Sequence, residues 1–145
     1  MNAEGGAVRE RGILLCYDGS AEAKTALERV AELASAVPSR VTVVSVADPL
    51  YRDSPWTGYA DPAEEEAHHR LLDDAIQDLR ARGVRAAALE PVGQPAEQIV
   101  DMARQKSVDL VVVGSRHHGL IRGLLSGSVS AEVVAEAPCD VLVVR

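Results

Sequence analysis

The sequence predicts an α/β fold, an open doubly wound parallel sheet of five strands with helices on both faces. Short apolar runs alternate with amphipathic stretches in the order β-α-β-α-β-α-β-α-β from Gly12 onward, the pattern of such sheets. The first run, Gly12 to Tyr17, is apolar throughout rather than at every second residue, as in strands covered on both sides. The length of 145 residues, 47 % of them hydrophobic, suits a single domain and argues against disorder. With no Phe, three Tyr and one Trp, the core has to be built from Val, Leu, Ile and Ala.

Gly12 to Tyr17 (GILLCY) reads as the first strand. Asp18-Gly19-Ser20 ends it, and Ser20 is a suitable N-cap for a helix whose apolar stripe is Ala23, Ala26, Leu27, Val30, Leu33 and Ala34. That helix stops before Pro38. Arg40 to Ala47, rich in β-branched residues, is the second strand. Asp48 to Pro62, with Tyr51, Trp56 and Tyr59, is a connection long enough to serve as a lid or partner surface, or simply to be disordered. The second helix runs from about Ala63 to Arg82, with Gly83 as its stop, and Val84 to Val92 is the third strand. Pro95 opens a third helix that closes near Lys106. Asp109 to Val113, Ser128 to Ala137 and Cys139 to Val144 complete the order as strand, helix and strand.

The net charge of −7 speaks against a nucleic-acid partner, which calls for a basic excess. No stretch reaches the roughly 18 consecutive apolar residues of a membrane span. Met1 to Arg11 has no apolar run, so it reads as a flexible tail rather than a leader, with the domain proper at 12–145 and the cytoplasm as the expected compartment. Two cysteines, Cys16 and Cys139 on strands one and five, make no disulfide framework and read as small core residues. His68-His69 and His117-His118 invite a metal reading. Adjacent helical residues point about 100° apart, however, and no zinc-type spacing exists, so no metal site is expected and the first pair reads as a solvated helix face.

The informative segment lies after strand four. Gly114 to Ser130 (GSRHHGLIRGLLSGSVS) holds four glycines, two arginines and no carboxylate. A glycine-rich loop entering a helix aims backbone N–H groups and the positive helix end at an anion, phosphate being the natural guest. The glycines are equally consistent with turns and close packing alone. A P-loop is excluded, because Leu120-Ile121 stand where Lys and a hydroxyl are needed, and no dinucleotide fingerprint follows strand one. A phospho-receiver would need paired acids after strand one, where Asp18 stands alone.

The spacing Gly114-x2-His117-x9-Gly127-Ser128 resembles the G-x2-G-x9-G-[ST] motif of nucleotide-binding universal stress proteins. Tyr17-Asp18-Gly19-Ser20, Gly93-x-Pro95, Val129-Ser130 and Ala137-Pro138-Cys139 also look like that family. The resemblance covers Gly12 to Arg145. It implies an adenine nucleotide alpha hydrolase-like sheet of order 3-2-1-4-5, a homodimer through strand five (Val141, Leu142, Val143, Val144), and a stress-response sensor that binds ATP, ADP or AMP, with Mg2+ able to accompany the phosphates. That order puts strand four between Cys16 and Cys139, too far for a bridge.

By the same resemblance Asp18 approaches the adenosine and phosphates, the main chain of Val46 recognises adenine, and Gly114 lies against the ribose. Gly127, Ser128 and Val129 wrap the phosphates, with Ser115, Arg116, His117 and Ser130 completing the site. His117 replaces the motif's second glycine, the next glycine being Gly119. This departure keeps alternatives open: an interaction module with its site disabled, or a weak ATPase. No pairing of His, Asp or Glu positions a water for attack, so catalysis is the weaker reading.

Overall fold

The structure is a computed structural model that describes residues 8–46, 62–115 and 128–145. Its five strands are β1 (Arg11–Cys16), β2 (Ser39–Val44), β3 (Arg85–Leu89), β4 (Leu110–Gly114) and β5 (Asp140–Val144), and its helices are α1 (Ala21–Ala36), α2 (Pro62–Ala81), α3 (Pro95–Gln105) and α4 (Ser128–Glu136). The sheet has the order β3-β2-β1-β4-β5 with every neighbouring pair parallel; the parallel sheet follows the alternation of elements in the sequence, and the order is the one the family resemblance implies. Asp48 to Asp61, with Tyr51, Trp56 and Tyr59, lies outside the described residues, as do Arg116, His117 and Gly127. No helix among the described residues is long and apolar enough to cross a membrane.

Two hydrophobic layers account for the continuous apolar run of β1. Ile13 and Leu15 of β1 join Val41, Val43 and Val112 beneath α1 and α2, where they meet Ala26, Leu27, Val30, Leu72 and Leu79. Leu14 points the other way, with Val44, Val111 and Val113, against Ile99 and Ala103 of α3 and Val133 of α4. Leu14 and Leu15 are both fully buried, which is the reason β1 cannot alternate polar and apolar residues. Each contributes about 1.5–3 kcal/mol of burial.

Helix ends follow local chemistry. The Ser20 hydroxyl accepts from the Ala23 N–H at 3.1 Å, capping α1. Gly83, with φ of 79°, closes α2 in a Schellman turn: its N–H donates to the Arg80 carbonyl and that of Val84 to the Leu79 carbonyl. Ser107 closes α3 in the same way at φ of 49°, with Val108 N–H donating to the Ala103 carbonyl. A side chain there is strained. The second and third strands are shorter than expected. β2 leaves the ladder after the Ser45 N–H has reached the Leu89 carbonyl, and the chain after β3 meets Pro91, which has no N–H for a ladder.

The end of the N-terminal segment is tied to the domain. Asp109 accepts from the Gly12 N–H at 2.9 Å and from Arg9 at 2.9 Å, with Arg11 3.8 Å away. Glu10 pairs with Arg85 at 2.9 Å. The cysteines are free, and burial pushes the Cys16 thiol up to about 12.

Replacing Ser107 with Gly relieves the left-handed strain and raises stability by about 1 kcal/mol in urea unfolding; an unchanged or lower midpoint contradicts the strain. The Gly12 N–H, aided by Arg9 and Arg11, holds the Asp109 carboxyl below its ordinary 3.8 against a smaller effect of burial. A carboxyl lowered on folding stabilises fully above the unfolded value and loses that effect as pH falls through the folded one. The stability gap between the native chain and Asp109→Asn therefore narrows as pH drops below about 4, and a gap constant with pH contradicts this.

Candidate functional site

The chain reverses direction of growth across the sheet between β1 and β4: β1 leads into α1 on one face, and the segment after β4 leads into α4 on the other. Such a switch point opens a crevice at the carboxyl ends of the strands. A cavity of about 170 Å³ lies there, with Asp18, Ser20, Val46, Gly114, Val129 and Ser130 in its lining. Cys16, Ser45, Pro95 and Ile99 also contribute.

Each wall has a local cause. After β1 the chain turns sharply, with the Ser20 N–H donating to Asp18 Oδ1 at 3.0 Å, an Asx-turn that leads into the cap of α1. Gly19 sits at φ of 78°, and a Cβ on it would stand 2.6 Å from Leu71 Cδ1 of α2. On the β4 side, a Cβ on Gly114 would meet Glu22 Cβ at 2.9 Å, Glu22 C at 3.0 Å and Ala23 N at 3.1 Å. Only glycine lets the first turn of α1 lie directly on the end of β4. The Ser115 N–H donates to the Val144 carbonyl at 2.6 Å, carrying the β4–β5 ladder one residue further. α4 then begins at Ser128 with no acidic residue in its own first turn, and Val129 and Ser130 of that turn line the crevice, which its positive end therefore adjoins.

The cavity is apolar at its base and polar at its mouth. Asp18 is exposed, while Val46 is half-buried against Leu14 and Val44 of the α3 side. Tyr17 is buried, and burial followed by Asp78 and Asp74 pushes its phenol above the usual value. Asp18 is the one carboxylate among the described lining residues, and no group of three metal-ligating side chains is found among the described residues. This arrangement can hold a flat, partly apolar group at its base and an anion near α4. Among the described lining residues, no His, Glu or Lys stands with Asp18 as an acid–base partner.

Of the residues singled out in the sequence, Asp18, Val46, Gly114, Val129 and Ser130 line one cavity, and Ser115 stands next to Gly114. Ser128 opens α4. Arg116, His117 and Gly127 are outside the described residues. Ile99 and Ser45 line the cavity too; only the strand order, which lays α3 over β1, points to them. The histidine pair is not a uniformly solvated face: His69 Nδ1 lies 2.8 Å from Glu90 Oε1, whereas His68 Nε2 is shielded from solvent. Adjacent positions on a helix face different surroundings, here the end of β3 and the protein interior.

The universal stress protein family profile matches residues 11–145. The chain belongs to the universal stress protein family. A universal stress protein of Thermus aquaticus is 40 % identical over 139 residues, spanning 92 % of this chain and 97 % of the relative. Among solved structures, hypothetical protein MJ0577 superposes with a TM-score of 0.77 at 26 % identity, covering 92 % of this chain and 94 % of that one. A universal stress protein in complex with cAMP superposes with a TM-score of 0.69 at 26 % identity, covering 93 % and 96 %.

For a universal stress protein built this way, Gly114→Ala forces α1 off the end of β4 and costs about 1–3 kcal/mol of stability. Thermal melting of the variant checks this, and an unchanged melting temperature contradicts the close approach.

Proposed function

We propose that this universal stress protein binds an adenine nucleotide, ATP in the first instance, in the cavity at the carboxyl ends of β1, β2 and β4, and acts as a dimeric cytoplasmic sensor or regulator. The observation that carries the reading is the cavity itself. It combines an apolar base beside Val46, the close approach at Gly114 and an acid-free first turn of α4, and the relative in complex with cAMP shares its fold over most of both chains. Adenine would sit against Val46, the ribose against Gly114 near Asp18, and the phosphates on Gly127 to Ser130. Main-chain N–H groups at the start of α4 would supply donors without side-chain charge. A Mg2+ ion would arrive with the phosphates, since magnesium is usually held by phosphates and one or two carboxylates.

The dimer reading rests on β5. It is an edge strand, and Leu142 and Val143 are 36 % and 38 % exposed, an apolar edge that pairing with a second copy would cover. Light scattering should give twice the chain mass, falling to one on Val143→Glu; a monomeric native protein contradicts this part.

Denaturing the purified protein and chromatographing the supernatant should release an adenine nucleotide, and calorimetry on the stripped protein should register ATP. His117→Gly should change that affinity. No released nucleotide and no heat with ATP would leave the interaction-module reading instead.

A further inference from the structure

The opposite end of the sheet carries a second, differently charged groove. It measures about 510 Å³ and is lined by Arg40 and Thr42 of β2, Arg85 of β3, and Gln105 and Lys106 at the end of α3. Arg40 and Arg85 are partners in the parallel register, so their side chains leave neighbouring strands about 4.8 Å apart. Val41 and Ala86 pack beneath α1 and α2. Alternation therefore turns Arg40, Thr42, Arg85 and Ala87 to the face on which α3 lies. Arg40, Arg85 and Ala87 are exposed, because α3 ends beside this corner without covering it.

Most cations at this end are already matched. Arg9 and Arg11 meet Asp109, Arg82 meets Asp78, Arg104 meets Asp101, and Arg80 donates to the Ala86 carbonyl. Arg85 shares its charge with Glu10. Arg40 and Lys106 have no carboxylate partner among the described residues, and both open on this one groove. Like charges directly abreast on neighbouring strands repel, so the protein keeps an unmatched basic corner although its net charge is −7. No carboxylate is among the groove's described lining residues, although Glu10 holds Nη1 of Arg85 at its edge; the Arg40 fork, the rest of the Arg85 fork and the Lys106 ammonium, with the Thr42 hydroxyl and the Gln105 amide, are the donors of its lining. Planar guanidinium pairs with an added ammonium suit phosphate oxygens.

We propose that this groove is a second ligand site, which takes a small phosphate-bearing molecule with at least two negative charges and is independent of the nucleotide cavity at the other end of the strands. The probe is pyrophosphate, titrated into isotope-labelled full-length protein and followed by amide chemical shifts. Saturable shifts at Arg40, Thr42, Arg85 and Lys106 are expected. The double variant Arg40→Gln, Lys106→Gln should weaken binding at least about tenfold, as loss of two charge-assisted contacts requires, without lowering the melting temperature. Absent shifts, shifts confined to the Asp18 and Gly114 end, or equal affinity in the double variant would overturn the proposal.

Discussion

The contact between the first turn of α1 and the bare Cα of Gly114 holds the molecule's working end together. Glu22 and Ala23 approach the place of a Gly114 Cβ to between 2.9 and 3.1 Å, closer than side chains tolerate in a packed interior. The start of α1 is thereby fixed against β4 rather than merely against its own strand. The Asp18-Gly19-Ser20 turn is carried with it, since the Ser20 N–H donates to the Asp18 carboxylate. Gly19 in turn seats Leu71 of α2. Two glycines thus lock two helices and the mouth of the cavity into one arrangement, and the switch between β1 and β4 becomes a defined crevice.

The two ends of the strands differ in chemistry although one sheet makes both. At the carboxyl ends, donors come from the backbone and hydroxyls, and Asp18 is the one charge among the described lining residues. At the amino ends, Arg40, Arg85 and Lys106 gather where β2, β3 and α3 meet. The acidity sits elsewhere. Asp48 to Asp78 carries nine acids and two arginines, which matches the full imbalance of −7. Net charge alone therefore says little about what either end can hold, because the charges are segregated along the chain and across the sheet.

Much of this was legible from residue types. Continuous apolar runs reported strands buried on both faces, and β1, with Ile13 and Leu15 on one side and Leu14 on the other, has that form. Ser20, Gly83 and Pro95 marked helix ends because their chemistry is local. Strand ends were less legible: β2 and β3 stop at Val44 and Leu89, earlier than composition suggests, because leaving the ladder depends on neighbours distant in sequence. The same holds for Asp109, whose partners Arg9 and Gly12 are about a hundred residues away, and for Ser107, whose positive φ has no glycine to announce it. The grouping of Asp18, Val46 and Gly114 came from family resemblance; periodicity has no means of bringing three separate strand ends together.

The most direct test of the nucleotide reading is an amide chemical-shift titration of stripped, isotope-labelled protein with AMP. Saturable shifts are expected to cluster at Tyr17 to Ser20, Ser45 and Val46, Gly114 and Ser115, and Val129 and Ser130. An unchanged spectrum, or shifts that cluster away from the carboxyl ends of β1, β2 and β4, would contradict it.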